Sequence, residues 1–371
     1  MNTVAAEFAA TPFHSTAPQW QPDLDDTLEC VQVRDETHDV KTFVFKAVPA
    51  RQFRYLPGQF ITLELEIDGE TINRCYTLSS TPTRPDCVSI TVKRVPGGKV
   101  SNWLHDNLKA GSRVSVLGPA GEFSCALHER KPYLFLSAGS GVTPLMSMTR
   151  ALTDLALADD IVFVHSARSP QDIIFRHELN ALTHAHPGLR QIQICQRRDG
   201  EPSWAGHTGM IGLDLLEREV PDFRERSVFC CGPGPYMAAV RALLTEAGFD
   251  MANYHEESFN FAELAAANAS EEPEVECTPG GCEGVGFKVR FVRTGDEITV
   301  APGQTVLAAA QAQGLRLPAS CSQGLCGTCK SKLVEGQVDM QHGGGIRKRE
   351  IDQGMFLPCC SKPLSDLVID R

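Results

Sequence analysis

Near its C-terminus the chain reads Cys321-Ser-Gln-Gly-Leu-Cys326-Gly-Thr-Cys329, and a fourth cysteine, Cys359, follows after 29 residues. The C-x4-C-x2-C…C spacing is that of thiolates around a plant-type [2Fe–2S] cluster. Thiolates suit zinc as well as iron–sulfur. Zinc sites usually pair short C-x2-C knuckles, however, whereas here three cysteines crowd one loop and the fourth comes from a distant segment. Gly324 and Gly327 fall between the ligands, where the loop must offer backbone N–H groups to bridging sulfides without side chains intervening. Cys321, Cys326, Cys329 and Cys359 are therefore the expected metal ligands, and the chain is expected to carry electrons.

Working outward from that loop, 371 residues suffice for two or three domains. A hydrophobic content of 42% and a charged content of 22% are those of an ordinary globular protein. The 14 cysteines are scattered, unlike a disulfide scaffold. The N-terminus has no basic start followed by an apolar run, and no apolar stretch is long enough to cross a bilayer. A reducing, cytoplasmic setting without membrane association is expected. The net charge of −11 is uneven. Residues 1–26 hold four acids and no base, residues 261–284 six acids and no base, and residues 285–371 carry +3. Such acidity suits a disordered tail and a linker. The basic run Arg347-Lys348-Arg349 reads as a solvated surface, with an acidic docking partner as the sharper alternative. Nucleic acid is not an expected partner, because no basic stripe carries interleaved aromatics.

The texture of the chain divides it further. Phe60–Ile67 alternates with period two and runs into Asp68-Gly69, a hairpin turn. With the strands Cys87–Lys93 and Arg113–Leu117 and a short helix over Ser101–Leu108, it implies a small antiparallel β-barrel over 27–126. From 127 to 260, strands Tyr133–Ala138, Ile161–Val164, Ile192–Ile194 and Val228–Cys231 alternate with helices near Pro144–Leu157, Ile173–Ala185 and Leu213–Glu219. That alternation implies an α/β domain with a parallel sheet covered on both faces. An acidic linker at 261–284 leads to an α+β domain at 285–371. Its first strands are Phe287–Arg293 and Glu297–Ala301, followed by a helix near Thr305–Gln313.

Three further motifs carry chemistry. Arg74-Cys-Tyr-Thr-Leu-Ser-Ser80 supplies a guanidinium for phosphate, an aromatic face and a hydroxyl, suited to a flavin. Gly97-Gly98-Lys99-Val100-Ser101 opens a helix and suits a pyrophosphate. Gly139-Ser-Gly-Val-Thr-Pro144 lies at a strand-to-helix junction, and Cys231-Gly-Pro-Gly-Pro-Tyr-Met237 follows another strand of the same sheet. Both loops are expected at the carboxyl edge, where ligands of open α/β sheets bind.

These motifs, in this order, resemble the ferredoxin–NAD(P)+ reductase superfamily fused to a C-terminal plant-type ferredoxin. Within it the chain is most similar to reductase components of Rieske-type oxygenases. The stretches His342-Gly-Gly-Gly-Ile-Arg-Lys-Arg-Glu-Ile-Asp352 and Leu357-Pro-Cys-Cys-Ser361 point to the glycine betaine monooxygenase group. The resemblance implies a β-grasp fold for the last domain. It implies a flavin held by Arg74, Tyr76 and Thr77, with Val92, Lys93, Gly98, Val100 and Ser101 around its ribityl and pyrophosphate. It implies a nicotinamide nucleotide held by Gly139, Gly141, Val142 and Thr143, with Cys231, Gly232, Pro233, Tyr236 and Met237 at the nicotinamide. Glu257 and Phe259 match the place where such enzymes bring an acid and an aromatic to the flavin; a packed aromatic is the plainer account of Phe259. Thr77, Thr143, Cys231 and Glu257 are the residues expected at the reacting atoms.

The implied route runs from NADH to FAD, to [2Fe–2S], and then to a separate Rieske-type oxygenase. No Rieske C-x-H pair occurs in the chain itself. FAD is favoured over FMN by the glycine-rich segment at 97–101. NADH is favoured by the resemblance. His165-Ser-Ala-Arg168, however, ends a strand without an acid for a ribose hydroxyl, and Arg168 offers a guanidinium to a 2′-phosphate. A reductase for hybrid-cluster protein or an aromatic-ring oxygenase, and a non-catalytic redox sensor, are the alternatives. Cys277 and Cys282 read as free linker thiols, and Cys360 has no evident place in the cluster.

Overall fold

The computed structural model describes residues 17–371 except 23, 159, 200–202, 260–285, 316, 318–321 and 325–326. The linker at 261–284, with Cys277 and Cys282, lies outside the described residues, as do Cys321 and Cys326.

Residues 27–120 form six antiparallel strands: β1 (Thr27–Thr37), β2 (Val40–Ala47), β3 (Phe60–Ile67), β4 (Glu70–Thr77), β5 (Val88–Lys93) and β6 (Arg113–Ala120). Their order is β4-β3-β6-β1-β2-β5. The bridge Leu78–Ile90 and the bond from Ser79 N–H to Ser89 C=O (2.8 Å) join the two outer strands and close the barrel. The β3–β4 hairpin turns at Asp68 (φ 55°) and Gly69 (φ 77°), the double left-handed turn that the Asp-Gly pair favours. Alternate residues of the strands point inward, so Leu63, Leu65, Phe43, Phe45, Val88 and Ile90 pack as one core. Helix α1 (Lys99–Asn107) plugs it with Leu104.

The second domain contains β7 (Tyr133–Ala138), α2 (Val142–Asp154), β8 (Ile161–Ala167), α3 (Arg176–Ala185), β9 (Leu189–Cys195) and β10 (His207–Thr208). It continues with α4 (Leu213–Glu219), β11 (Ser227–Cys231), α5 (Gly234–Glu246) and β12 (Tyr254–Glu257). The sheet is parallel throughout, in the order β10-β9-β8-β7-β11-β12. Every residue of β7 is buried, because helices cover both faces. Phe135 and Phe163 pack toward α2 and α3, while Leu134, Leu136, Val162 and Val164 pack toward α5. Helix α3 starts three residues later than the apolar pattern suggests. Phe175 sits at φ 58°, which a right-handed helix does not accommodate, so Ile173 and Ile174 are buried from a loop.

The C-terminal domain has β13 (Phe287–Phe291), β14 (Glu297–Val300), α6 (Val306–Ala312), β15 (Ser331–Glu335) and β16 (Val338–Met340). It ends with α7 (Lys348–Asp352), β17 (Met355–Phe356), β18 (Ser361–Pro363) and β19 (Leu367–Asp370). A mixed sheet, β14-β13-β19-β15-β17, packs Val289, Phe291 and Ile369 against Val306, Ala309 and Ala310 of α6. Thr305 caps that helix by accepting the Ala308 N–H at 3.3 Å.

Two expectations change. The described part of the acidic N-terminal segment is packed rather than loose. Trp20 is buried and donates from Nε1 to Gly118 C=O at 2.9 Å, because its indole covers Phe53 at the barrel's end. The run Arg347-Lys348-Arg349 is not simply a solvated surface. Arg347 is buried and pairs with Glu64 of β3 at 3.1 Å, and Arg349 pairs with Asp26. The acidic partner of those two arginines is this chain's own barrel.

Candidate active site

Strand order reverses beside β7, where β8 lies on one side and β11 on the other. The loops leaving the carboxyl ends of β7 and β11 interlock there. A Cβ on Gly141 would stand 2.1 Å from Cys231 C=O and 2.6 Å from Gly232 N. A Cβ on Gly232 would stand 2.8 Å from the Tyr236 ring and 3.1 Å from Ala138 Cβ. Only glycine lets the two backbones pass this closely. Gly139, at φ 52°, has open space where its side chain would be. The loop therefore exposes bare backbone and the N-terminus of α2, a ready site for phosphate. Thr143 is buried and its hydroxyl donates to Ser140 C=O at 3.0 Å, which steadies the same turn. Val142, Tyr236 and Met237 pack into the domain's cores, so their contribution to a ligand is through the backbone they position. Pro233 precedes α5 as its N-cap.

β12 was not legible as a strand, yet it completes the site. It pairs in parallel with β11, in a register that sets Glu257 opposite Cys231. Cys231 is fully buried. Burial, with Glu257 beside it, pushes its thiol well above the ordinary range. Glu257 Oε2 is shielded from solvent with no hydrogen-bond partner among the described residues, and burial pushes this carboxyl up to about 8. His165, at the carboxyl end of β8, is also held neutral by burial, down to about 4. Its Nδ1 meets the Ser137 hydroxyl at 2.8 Å, and its Nε2 has no hydrogen-bond partner among the described residues. Unsatisfied buried polar atoms at the carboxyl edge mark where a ligand's polar groups fit. Phe259, two residues beyond Glu257, is exposed, so it is not the packed core aromatic that the sequence also allowed.

On the barrel side, Thr77 is the buried last residue of β4. Arg74 is exposed, donating to Asn73 C=O at 3.1 Å, and burial raises the phenol of Tyr76. Val92 and Val100 lie in the barrel core and present only backbone outward. The Ser101 hydroxyl accepts the Val95 N–H (3.2 Å) and donates to Gly98 C=O (3.3 Å), holding the glycine turn before α1. Lys93 pairs with Asp39 at 3.3 Å. Asp39, in the β1–β2 turn, also takes Arg168 at 3.2 Å, and Asp172 takes the same guanidinium at 3.0 Å. Arg168 is thus paired with two carboxylates rather than left as an unpaired cation.

α2 fastens this strand end to the nucleotide loop. Ser147 Oγ donates to Ser80 C=O at 2.6 Å, and Arg150 donates to Ser79 C=O while holding Glu178 through two nitrogens at 2.7 and 2.6 Å. Both residues belong to the helix that opens beside Gly141. Thr77 and Thr143 are accordingly set relative to one another by directed bonds to main chain.

In the third domain, Cys329 and Cys359 are buried with sulfurs 3.2 Å apart. That exceeds a disulfide bond of about 2.05 Å and suits two thiolates sharing one metal. Gly324 (φ 71°) and Gly327 (φ 68°) adopt the left-handed backbone that the cysteine loop requires. Gly343 and Gly345 N–H donate to Gly324 C=O at 3.1 and 2.9 Å, so the His342–Arg347 stretch roofs the loop. The Cys360 sulfur lies against Gly324, 2.7 Å from where a Cβ would be, and acts as packing there. Gly327 lies against the Gly345 carbonyl and also faces Leu117 of β6 and Asn73 of β4. Asn73, Cys75 and Thr77 share one face of β4, so the cysteine loop lies roughly 13 Å along a strand from Thr77 by the usual rise per residue.

Comparison with known proteins agrees with this geometry. Residues 27–125 match the oxidoreductase FAD-binding domain family, 135–242 the oxidoreductase NAD-binding domain family, and 291–364 the 2Fe-2S iron-sulfur cluster binding domain family. The chain therefore belongs to the FAD- and NAD-binding reductases that carry a C-terminal [2Fe–2S] domain. It is 48% identical to the glycine betaine monooxygenase reductase subunit of Pseudomonas aeruginosa, over 92% of this chain and 94% of that one. It is 41% identical to the stachydrine N-demethylase reductase subunit of Rhizobium meliloti, over 92% and 96%. Phthalate dioxygenase reductase shares the fold, with a TM-score of 0.55 at 23% identity over 95% of this chain and 100% of that one.

Two outcomes follow from the site. Gly141→Ala forces Cβ into the Cys231 carbonyl. It should cost about 3 kcal/mol or more of stability by denaturant titration, and about 100-fold or more in flavin reduction by NADH in stopped flow. Glu257 retains, up to about pH 8, a proton that the unfolded chain loses near 4.5. The unfolded state then binds fewer protons, so stability should decline as pH rises across that window. Thermal melts of the flavin-free protein should show this slope, and Glu257→Gln should flatten it.

Proposed function

We propose that this chain is the NADH-oxidising reductase subunit of a Rieske-type glycine betaine monooxygenase, supplying electrons for oxidative N-demethylation. The observation that carries this reading is the 48% identity to a glycine betaine monooxygenase reductase subunit along nearly the whole of both chains. The structure supports the order of transfer. When bound, FAD takes an electron pair from NADH and passes electrons singly to the iron–sulfur cluster.

The rest of the work falls to this chain's residues. Gly139, Gly141 and the start of α2 would bind the nucleotide's phosphates. Thr143 steadies the loop that delivers the nicotinamide, and Cys231, with no polar partner to offer at neutral pH, would make a dry floor beneath it. Glu257, neutral below about pH 8, can donate a hydrogen bond toward the flavin without placing a negative charge beside the transferring electrons. Thr77 and Tyr76 would orient the flavin, and Arg74 is exposed and available to its phosphate. Cys329 and Cys359, with Cys321 and Cys326, would hold the cluster. The preference for NADH is supported by Arg168, which is already neutralised by Asp39 and Asp172. A 2′-phosphate there would meet both carboxylates.

Mixed with the oxygenase component, the reconstituted protein should consume one NADH and one O2 per formaldehyde released from glycine betaine. Oxidation of NADH with no formaldehyde from any N-methylated betaine would overturn the reading. Cys359→Ser should leave reduction of the flavin by NADH within about twofold of normal and remove transfer to one-electron acceptors by a factor of about 100 or more. Diode-array stopped flow separates the two steps.

A further inference from the structure

The seam between the C-terminal domain and the barrel is divided by charge. On one side stand Lys330, Arg347 and Arg349; on the other, Glu64 and Asp26. Lys330 Nζ lies 3.3 Å from Glu64 Oε1 and Arg347 Nη2 3.1 Å from Glu64 Oε2, while Arg349 pairs with Asp26 and donates to Leu24 C=O at 3.3 Å. Arg347 also donates to Val116 C=O, and Glu350 of the same domain braces Lys330 at 2.7 Å. Apolar contact is slight by comparison, with Gly327 near Leu117 and Gly344 near Ala120. A seam built this way differs in kind from a hydrophobic core. At its rim the exposed Arg349–Asp26 pair contributes about 1 kcal/mol or less and weakens with salt, whereas Lys330, Arg347 and Glu64 are largely shielded and part only where other carboxylates replace Glu64. Release does not lose the domain, because residues 260–285 tether it covalently.

The cations also crowd the cluster's approach. Lys330 directly follows the ligand Cys329, and Arg371 donates to the Cys329 and Lys330 carbonyls at 3.2 and 2.9 Å. Residues 343–345 brace the loop at both described glycines, through N–H bonds to Gly324 C=O and through the Gly345 carbonyl at Gly327. Among the described residues, the side that Gly327 and Lys330 share is the one that the barrel now covers. Electron transfer weakens steeply with distance, so a donor and an acceptor both need this side.

We infer that the face bearing Lys330, Arg347 and Arg349 is a shared docking surface. It receives electrons while seated on Glu64 and Asp26, and it delivers them to an acidic protein acceptor whose carboxylates take the place of those two. One electron moves from the reduced cluster to the oxidised acceptor at each encounter; no bond is made or broken. Internal docking and acceptor docking are then mutually exclusive. The inference rests on the functional reading above only in requiring a protein acceptor.

The test uses the full holoprotein and two haem proteins of opposite charge as probes, acidic cytochrome b5 and basic cytochrome c. Binding is measured by calorimetry with all components oxidised, and cluster reduction by NADH is followed separately. Glu64→Gln and Asp26→Asn remove the internal competitor, and each should tighten cytochrome b5 about five- to tenfold while slowing cluster reduction. Arg347→Gln and Arg349→Gln remove the shared cations, and each should weaken cytochrome b5 by a similar factor and slow cluster reduction too. Arg349 and Asp26 lie at the edge of the seam, so that pair tests the idea even if the buried Arg347 proves necessary for folding. Affinity for cytochrome b5 should fall as ionic strength rises to about 0.5 M. Binding of cytochrome b5 that is indifferent to Arg349→Gln and Asp26→Asn, or tighter binding of cytochrome c, overturns the shared surface alone. A parent protein whose cluster NADH cannot reduce overturns the functional reading instead.

Discussion

The carbonyl of Cys231 and the α-carbon of Gly141 approach so closely that a methyl group between them would overlap the main chain. Much else is arranged around that contact. It brings the ends of β7 and β11 together where the strand order reverses, and so opens the crevice in which a nucleotide can lie. It starts α2 at a fixed angle, and three turns of that helix carry Ser147 and Arg150 to the carbonyls of Ser80 and Ser79. The barrel's flavin-side strand is thereby tied to the phosphate loop through two bonds to main chain. Hydride transfer demands atoms held within a few tenths of an ångström, and directed bonds to backbone meet that demand better than side-chain packing alone.

Both seams of the molecule hold a buried arginine on a carboxylate, and they differ in what surrounds it. Between barrel and nucleotide domain, Arg150 is buried, bidentate to Glu178 and stacked 4.7 Å over Phe175. Removing one member would leave a buried charge uncompensated, which makes such a seam hard to open. Between barrel and cluster domain, Arg347 and Lys330 share Glu64 in a largely shielded network, and Arg349–Asp26 is an exposed pair at the rim. The division follows the chemistry. A two-electron step between small rings needs a fixed geometry, whereas the proposed delivery of single electrons to a partner needs a contact whose carboxylates can be exchanged.

The motifs were legible in the sequence because each is local. The C-x4-C-x2-C run, the two glycine loops and the Asp68-Gly69 turn depend on residues within a few positions of one another, and the described glycines at 69, 139, 324 and 327 adopt the left-handed backbone suited to such turns. What was not legible depends on residues far apart. β12 is four residues, Tyr-His-Glu-Glu, with no apolar alternation, and it becomes a strand because β11 offers it an edge. Arg168 read as a free cation because Asp39, 129 positions away, is invisible to a local pattern. The basic run at 347–349 read as a solvated surface for the same reason, since Glu64 and Asp26 lie more than 280 positions upstream. Phe175 delayed α3 through a left-handed backbone that no residue preference announces.

Glu257 shows how far a distant pairing can alter chemistry. As a tetrapeptide, His-Glu-Glu-Ser would present an ordinary exposed carboxylate. Parallel pairing with β11 places that side chain opposite a thiol that is itself buried, and neither offers the other a charge it can use. Each group's own desolvation holds it neutral, and Glu257 adds to the rise of the thiol, so both are uncharged at neutral pH. Beside the flavin proposed for this crevice, an ionised carboxylate would repel incoming electrons, and a thiolate would compete as a nucleophile. Burial removes both hazards with the same strand pairing that shapes the pocket. The acid can then act as a hydrogen-bond donor, a role that only its protonated form can fill.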